Sequence, residues 1–204
     1  MSKRDFRVGA VVLAAGRSAR MGEAKLLLRI GGRTLLERVL EAVRGAGVDE
    51  IVLVLGASAE AIRQSLFAAF FDGLKVVVNQ DYEQGMSGSL RVGLEAMSPE
   101  MDAGLIVLGD QPFVRPETME RIIEYYRESD AEIVVPYYDG QRGNPVLLDR
   151  AVFAEATDLE GDSGFRAIFA SHAAGLADVA VDDEGILLDI DDRADYERLR
   201  ALRG

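Results

Sequence analysis

The 204-residue chain contains no cysteine and only one histidine, His172. The first absence excludes disulfides, thiolate metal sites and thiol nucleophiles. The second excludes a His-rich metal centre and any mechanism that needs two histidines. No apolar run approaches the roughly 20 residues of a membrane span. Val8–Ala15 is too short and too Gly-interrupted for the apolar region of a secretory leader. A cytoplasmic location and no membrane partner are therefore expected. Basic charge is scarce too: 23 Lys and Arg stand against 35 Asp and Glu, a net charge of −12. Nucleic-acid binders usually carry the opposite balance, so no nucleic acid is expected as partner. An anionic small ligand stays open, because a local group of Lys, Arg and backbone N–H groups can hold phosphate, especially across a bridging Mg²⁺.

What is present is the composition of a globular protein, 49% hydrophobic and 28% charged. The length suits one α/β domain. Short apolar runs alternate with longer amphipathic ones, the pattern of strands and helices in an open, mostly parallel sheet. Val8–Ala14, Ile51–Leu55, Leu74–Val78, Leu105–Leu108 and Glu132–Pro136 read as strands, Val/Ile/Leu-rich as strands covered on both faces are. Thr34–Arg44, Ala59–Phe70, Ser87–Met97 and Pro116–Glu128 read as helices. Thr34 and Glu37 make a capping box, and Pro116 suits a first turn. Beyond Pro136 the pattern loosens. Gly140–Asn144 reads as a turn, Pro145–Leu148 as a short strand, and Arg150–Ala156 and Ser163–Ser171 as short helices. Ala177–Val181 and Ile186–Asp189 are expected as edge strands. Arg193–Leu202 is expected as a closing helix, with Tyr196, Leu199 and Leu202 on one side and Asp192 as its cap. There is no repeat or linker, so one domain is expected over 1–204. Its nucleotide-binding part is expected at about 1–115 and its acceptor-facing part at about 116–204.

In such sheets ligands bind beyond the carboxyl ends of the strands. After the first strand comes Leu13-Ala-Ala-Gly-Arg-Ser-Ala-Arg-Met-Gly-Glu-Ala-Lys25. Gly16 and Gly22 allow tight turns and offer N–H groups to oxyanions, and Arg17, Arg20 and Lys25 supply positive charge. The spacing is neither that of a Walker A loop nor that of a dinucleotide fingerprint; an ordinary strand-to-helix loop has similar composition. After the fourth strand, Asp110 ends an apolar run, where a carboxylate is costly without a cation. Mg²⁺ takes one or two carboxylates plus phosphate oxygens, which makes Asp110 a candidate ligand, with a helix cap as the plain reading. Late in the chain, a strand through Leu187–Asp191 puts Asp189 and Asp191 on one face, and either can complete a metal site. Asp182–Glu184 reads as a plain acidic turn. Gly85, Ser87, Gly88 and Ser89 form a small polar loop entering a helix, suited to close approach by a base or ribose. Arg142-Gly-Asn-Pro145 and Gly161-Asp-Ser-Gly-Phe-Arg166 are polar turns that read first as caps. His172 reads as a surface or satisfied histidine.

Taken in order, these segments resemble the family of molybdenum cofactor cytidylyltransferases and the related guanylyltransferases. Leu13–Lys25 matches a LAAGxSxRMGxxK signature, Gly85–Gly93 a GxxxSLxxG loop, and Leu108–Val114 a LGDQPxV segment. Arg142–Pro145, Gly161–Arg166 and Asp189–Asp191 match later motifs, and the resemblance covers nearly the whole chain. It implies a Rossmann-like sheet of the nucleotide-diphospho-sugar transferase type. The implied reaction joins CTP to a molybdopterin-type phosphorylated acceptor with release of pyrophosphate. Carried onto matching positions, Arg20 and Lys25 bind the triphosphate, and Asp110 with Asp191 holds Mg²⁺ (or Mn²⁺). Leu13, Ala14, Ala15, Gly16, Arg17, Ser18, Gly22, Ser87, Ser89 and Leu90 surround the nucleotide. Arg142, Asn144, Asp162 and Arg166 face the acceptor. Guanylyltransferases usually carry a second Gly where Ala15 stands, which favours CTP. Related cytidylyltransferases often have His where this chain has Asn144. A molybdoenzyme or its chaperone is implied as recipient of the product. Guanylyl transfer, another phosphorylated acceptor such as a sugar phosphate, and a non-catalytic nucleotide or cofactor carrier remain as alternatives.

Overall fold

The computed structural model describes residues 5–16, 24–65, 72–157 and 166–203. Its frame is a sheet built on β1 (Val8–Ala14), every residue of which is buried. On one side β1 pairs in parallel with β4 (Glu50–Leu55), which pairs in parallel with β5 (Leu74–Val78). On its other side β1 pairs in parallel with β6 (Ala103–Leu108). Beyond β6 come β9 (Val146–Asp149), β7 (Ile133–Tyr138) and β10 (Leu176–Ala180), in the order β10-β7-β9-β6-β1-β4-β5. β7 runs parallel to β6 although the two do not touch, because β9 lies antiparallel between them. A two-stranded hairpin of β2 (Arg29–Ile30) and β3 (Arg33–Thr34) stands apart from the sheet.

The continuous apolar runs form these strands because both faces are covered. Val8, Ala10, Val12 and Ala14 pack into one core with Leu36, Val39, Leu40 and Val43 of α1 (Leu35–Gly45) and Ile122, Ile123 and Tyr126 of α4 (Pro116–Glu128). Val11, Leu13 and Ala15 pack into a second core with Leu90 and Leu94 of α3 (Met86–Ala96). α1 begins with the expected capping box: Glu37 N–H donates to Thr34 Oγ1 at 3.1 Å and Thr34 N–H to Glu37 Oε2 at 2.6 Å. Together these two bonds occupy donors that a helix end leaves unpaired. α2 covers Ala59–Ser65, and the expected continuation to Phe70 lies outside the described residues. No described helix is long and apolar enough to cross a membrane.

Three expectations need correction. The Gly140–Asn144 turn is a hairpin. Asp139 and Gly140 both take positive φ, 42° and 83°, as a two-residue primed turn requires. The chain then returns as β8 (Gln141–Arg142) on β7. Ile186–Asp189 is not a strand: Glu184–Leu187 forms a 3-10 turn and 188–191 is irregular. Leu188 N–H donates to Gly185 O at 3.2 Å, and the segment's long-range backbone bonds, from Asn144 N–H to Ile186 O and from Ile190 N–H to Asp110 O, go to two different segments, so no ladder forms there. In α7 (Arg193–Arg203), Tyr196 and Leu199 are buried while Leu202 is 73% exposed, because steps of three residues drift around a 3.6-residue helix. The remaining expected elements are α5 (Phe153–Thr157), entered through a 3-10 turn at Arg150–Val152, and α6 (Arg166–Ser171), with 163–165 outside the described residues. Asp192 caps α7, accepting from Asp195 N–H at 2.9 Å.

Candidate active site

Because β1, β4, β5 and β6 are parallel, Ala15, Gly56, Asn79 and Gly109 emerge at one edge of the sheet. The chain proceeds from β1 outward to β4 and β5, then returns through α3 to β6 on the opposite side of β1. The strand order reverses there, which is where such sheets open a crevice for ligands. Glycine lets the strand ends converge at two points. A Cβ on Gly109 would lie 2.8 Å from Leu13 O, and one on Gly56 would lie 2.5 Å from Ala15 O.

A cavity of about 260 Å³ opens at this reversal. Leu13, Ala15, Gly16 and Leu108 line it from the strand ends. Tyr82, Gly85, Met86 and Ser89 line it from the entry to α3, and Asp110 also reaches it. Gly85 has φ 101°, a conformation open to glycine, and serves as the residue before α3.

Asp110 does not stand alone. Lys25, in a 3-10 turn over Lys25–Leu27, is buried and donates from Nζ to Asp110 Oδ2 at 2.9 Å and to Asp191 Oδ1 at 3.4 Å. Asp191 is brought there by the backbone, since Ile190 N–H donates to Asp110 O at 3.0 Å. Ile190 is fully buried with Ile30, Leu35, Tyr196 and Leu199, and Tyr196 OH donates to Arg29 O at 2.8 Å. This small core holds α7 and the β2–β3 hairpin behind the charged cluster. Asp189 is close by; partial burial, with the like charges of Asp191 and Asp110 added, raises its pKa above the usual carboxylate range.

Two carboxylates aimed at one cationic nitrogen present hard oxygen donors to a shared point. Among the described residues no group of three or more His, Cys, Asp or Glu side chains can hold a metal ion. Asp110 and Asp191 supply only two such side chains, so a cation held between them would have to complete its shell with other ligands, as Mg²⁺ commonly does with phosphate and water. The expected pairing of these two carboxylates comes from an irregular segment, and strand alternation plays no part in it.

Of the other expected nucleotide contacts, Leu13, Ala15, Gly16 and Ser89 line the cavity. Ala14 faces the core on the α1 and α4 side, and Leu90 lies in the core beneath α3. Ser87 is half-buried near the start of α3. Arg17, Ser18, Arg20, Gly22 and Asp162 lie outside the described residues, as does the Arg166 side chain. Arg142 makes a two-bond pair with Asp178, 2.6 and 2.9 Å, on the exposed side of β8 and β10. Asn144 donates its N–H to Ile186 O at 3.1 Å. Neither Arg142 nor Asn144 lines the cavity.

Several residues carry more than the sequence suggested. Asp183, read as a plain acidic turn, is buried: Oδ2 accepts from Arg115 N–H at 2.9 Å and Thr118 Oγ1 at 2.6 Å, and Oδ1 from Gly185 N–H at 3.0 Å. It clamps the 3-10 turn to the start of α4, and no local signal marks that role. Tyr82 and Met86, and Asn79 behind them, went unmarked as well. The signal for Asn79 was a polar residue directly after an apolar strand.

His172 is satisfied, as expected. Its Nδ1 is 2.7 Å from Glu132 Oε2 and its Nε2 3.0 Å from Glu155 Oε1. It lies at the sheet edge opposite the cavity, since Glu132 precedes β7. The Glu132 contact, followed by the Glu155 contact, raises its pKa above the ordinary 6.5. A raised folded-state value means the contribution to stability is full below the unfolded value and is lost as pH rises through the folded one. The difference in melting temperature between the native chain and His172→Gln is therefore expected to be largest near pH 6 and to shrink toward pH 9. Calorimetry across that range checks it, and a gap that widens with pH would contradict the ion-pair account.

The sheet order and the crevice at its reversal are those of an open α/β sheet that takes a ligand beyond the carboxyl ends of its strands, and the chain's relatives identify it as a nucleotidyltransferase. Residues 10–176 match the family model described as MobA-like NTP transferase domain, and the chain belongs to that family. Nicotine blue oxidoreductase of Paenarthrobacter nicotinovorans is 32% identical over 194 residues, 90% of this chain and 92% of the relative. The crystal structure of Rv0371c from Mycobacterium tuberculosis has a TM-score of 0.86 at 38% identity, covering 96% of this chain and 99% of that one. Its complex with manganese has a TM-score of 0.82 at 36% identity over the same shares. A nucleotidyl transferase from Methanothermobacter thermautotroptrophicus has a TM-score of 0.80 at 27% identity, covering 96% and 97%.

Proposed function

We propose that this chain transfers CMP from CTP to a molybdopterin-type phosphorylated acceptor and releases pyrophosphate. The observation that carries the reading is the cavity at the strand-order reversal, which is shared between Ala15, Ser89 and the Asp110 held with Asp191 on Lys25. The residues assigned to the nucleoside and to the triphosphate thus adjoin. The Ala15 methyl group, in place of a second glycine, supports the smaller cytosine over guanine.

In the reaction, an acceptor phosphate oxygen bonds to the α-phosphorus of CTP. The bond from that phosphorus to the α,β-bridging oxygen breaks, and its electron pair leaves on pyrophosphate. A terminal phosphate is largely ionised at neutral pH, so no general base is needed. This suits a chain whose one histidine lies at the far edge of the sheet. Asp110 and Asp191 would hold Mg²⁺ or Mn²⁺, which when bound neutralises charge on the triphosphate and the leaving group. Lys25, Arg17, Arg20 and the N–H groups of Gly16 and Gly22 are assigned to the phosphates, where fixed positive charge lowers the barrier. The part at 116–204, with Arg142, Asn144, Asp162 and Arg166, is assigned to the acceptor. A crystalline manganese complex of a 36% identical protein supports a divalent cation here.

The test is pyrophosphate release with Mg²⁺ and each of the four NTPs, with and without a molybdopterin-type acceptor. Release with CTP only in the presence of that acceptor is the expected result. CTP binding without release would indicate another acceptor or a carrier. A second reading, oxidoreduction, is favoured by the 32% identical relative named nicotine blue oxidoreductase. It predicts consumption of a redox cofactor and no pyrophosphate.

A further inference from the structure

Behind the cavity wall lies a polar pair among apolar side chains. Asn79, directly after β5, is 3% exposed, and Ser89, in the first turn of α3, is 5% exposed. Asn79 Nδ2 lies 3.0 Å from Ser89 Oγ, and Asn79 Oδ1 accepts from Asp81 N–H at 2.9 Å. The backbone contact decides which way round the amide sits. A backbone N–H can only donate, so the atom facing it must be the carbonyl oxygen. The atom facing Ser89 is then the NH₂ group, which can only donate, and Ser89 Oγ must accept. The hydroxyl proton of Ser89 is thereby directed elsewhere, and no described residue accepts it. Ser89 lines the cavity, so the proton is available to whatever occupies it. An acceptor placed at this point by a ligand pairs that donor.

Resting on the nucleotide reading above, the geometry points to Asn79 as a positioning residue that turns the Ser89 hydroxyl proton toward the nucleobase, so that Ser89 donates to it. The chain of contacts runs from Asp81 N–H through the Asn79 amide to the Ser89 hydroxyl and ends on a base acceptor. A donor so fixed favours an edge with neighbouring acceptors, which cytosine presents at O2 and N3. Guanine can take the same donor only at O6 or N7, because its N1–H and N2–H₂ groups are themselves donors. Asn79 does not line the cavity, so it acts through Ser89.

Asn79→Asp tests this by reversing the direction of the pair. The carboxylate still accepts from Asp81 N–H, but its second oxygen now takes the Ser89 proton and leaves only lone pairs facing the base. Calorimetric titration of the full chain with Mg²⁺ and CTP, UTP, GTP or ribose 5-triphosphate reads the result. Asn79→Asp is expected to weaken CTP binding about tenfold or more and to leave ribose 5-triphosphate within about twofold. In a Ser89→Ala background the same change is expected to add less than about twofold, because the intermediary is gone. Unchanged CTP affinity, an equal loss for ribose 5-triphosphate, or an additive double variant would each overturn the inference. If the buried carboxylate prevents folding, Asn79→Ala replaces it, with a smaller base-dependent loss that must again vanish beside Ser89→Ala. A native chain that prefers GTP would defeat the cytidylyl reading alone, and the relay would then be judged on the base-dependent loss for GTP. A native chain that binds no nucleotide defeats both.

Discussion

Asp110→Ala is expected to lower pyrophosphate release by about 10²–10³ at saturating Mg²⁺ and CTP, with the melting temperature unchanged or slightly higher. The size follows from removing one preorganised charge contact at the reacting phosphates, which costs about that factor for comparable electrostatic groups. The sign on stability follows from the surroundings. Asp110 is close to Asp189, Asp191 and Lys25, three carboxylates to one described ammonium. Removing one carboxylate relieves like-charge repulsion, and the buried Lys25 ammonium keeps Asp191 as its partner, so no buried charge is left uncompensated. Asp110→Asn, which keeps the shape, is expected to lose activity similarly. Steady-state rates beside a thermal melt separate the two effects. Near-normal turnover in either variant would take Asp110 out of the reaction.

Lys25→Met is expected to act in opposite directions on metal binding and on turnover. The Lys25 ammonium occupies the point on which Asp110 and Asp191 converge, at 2.9 and 3.4 Å. A divalent cation using the same oxygens must displace that ammonium, so the two cations compete. Without the ammonium, Mn²⁺ affinity of the nucleotide-free protein is expected to rise about tenfold, equivalent to about 1.4 kcal/mol. Turnover is expected to fall by about 10²–10³ under the proposed assignment of Lys25 to the triphosphate, because that fixed positive charge is lost. Electron paramagnetic resonance of Mn²⁺ reads the first effect without nucleotide or acceptor, and pyrophosphate release reads the second. Weaker or unchanged Mn²⁺ binding would mean that ammonium and metal use the carboxylates together.

Both expectations depend on residues far apart in the chain: Lys25 and Asp110 are 85 positions apart, and Lys25 and Asp191 are 166 apart. The members were legible one by one. Asp110 was visible as a charge ending an apolar strand, Lys25 as the last basic residue of a Gly-containing loop, and Asp191 as part of a late acidic motif. Their convergence was implied only by the family resemblance and by no local pattern. It depends on the Ile190 N–H reaching Asp110 O and on a small core of Ile30, Leu35, Ile190 and Tyr196. Strand alternation left Asp189 and Asp191 as equal candidates on one strand face, and no strand forms there. The relay through Asn79 escaped notice because the amide takes its role from a serine ten residues onward and a backbone N–H two residues onward.

By itself the sequence determined what short-range chemistry governs. Buried strands reveal themselves as unbroken apolar runs, and α1 and α4 as periodic stripes with a capping box and a first-turn proline, because these patterns need only neighbours within one or two turns. The parallel frame and the loops at its carboxyl edge follow from those elements. Tertiary structure alone decided where β9 inserts antiparallel between β6 and β7, that Asp183 is a buried clamp on α4, and that Arg142 is held by Asp178. It also decided that two carboxylates and a lysine share one point. Each of these is a contact between segments whose local patterns are ordinary, and its energy comes from a partner that no local window contains.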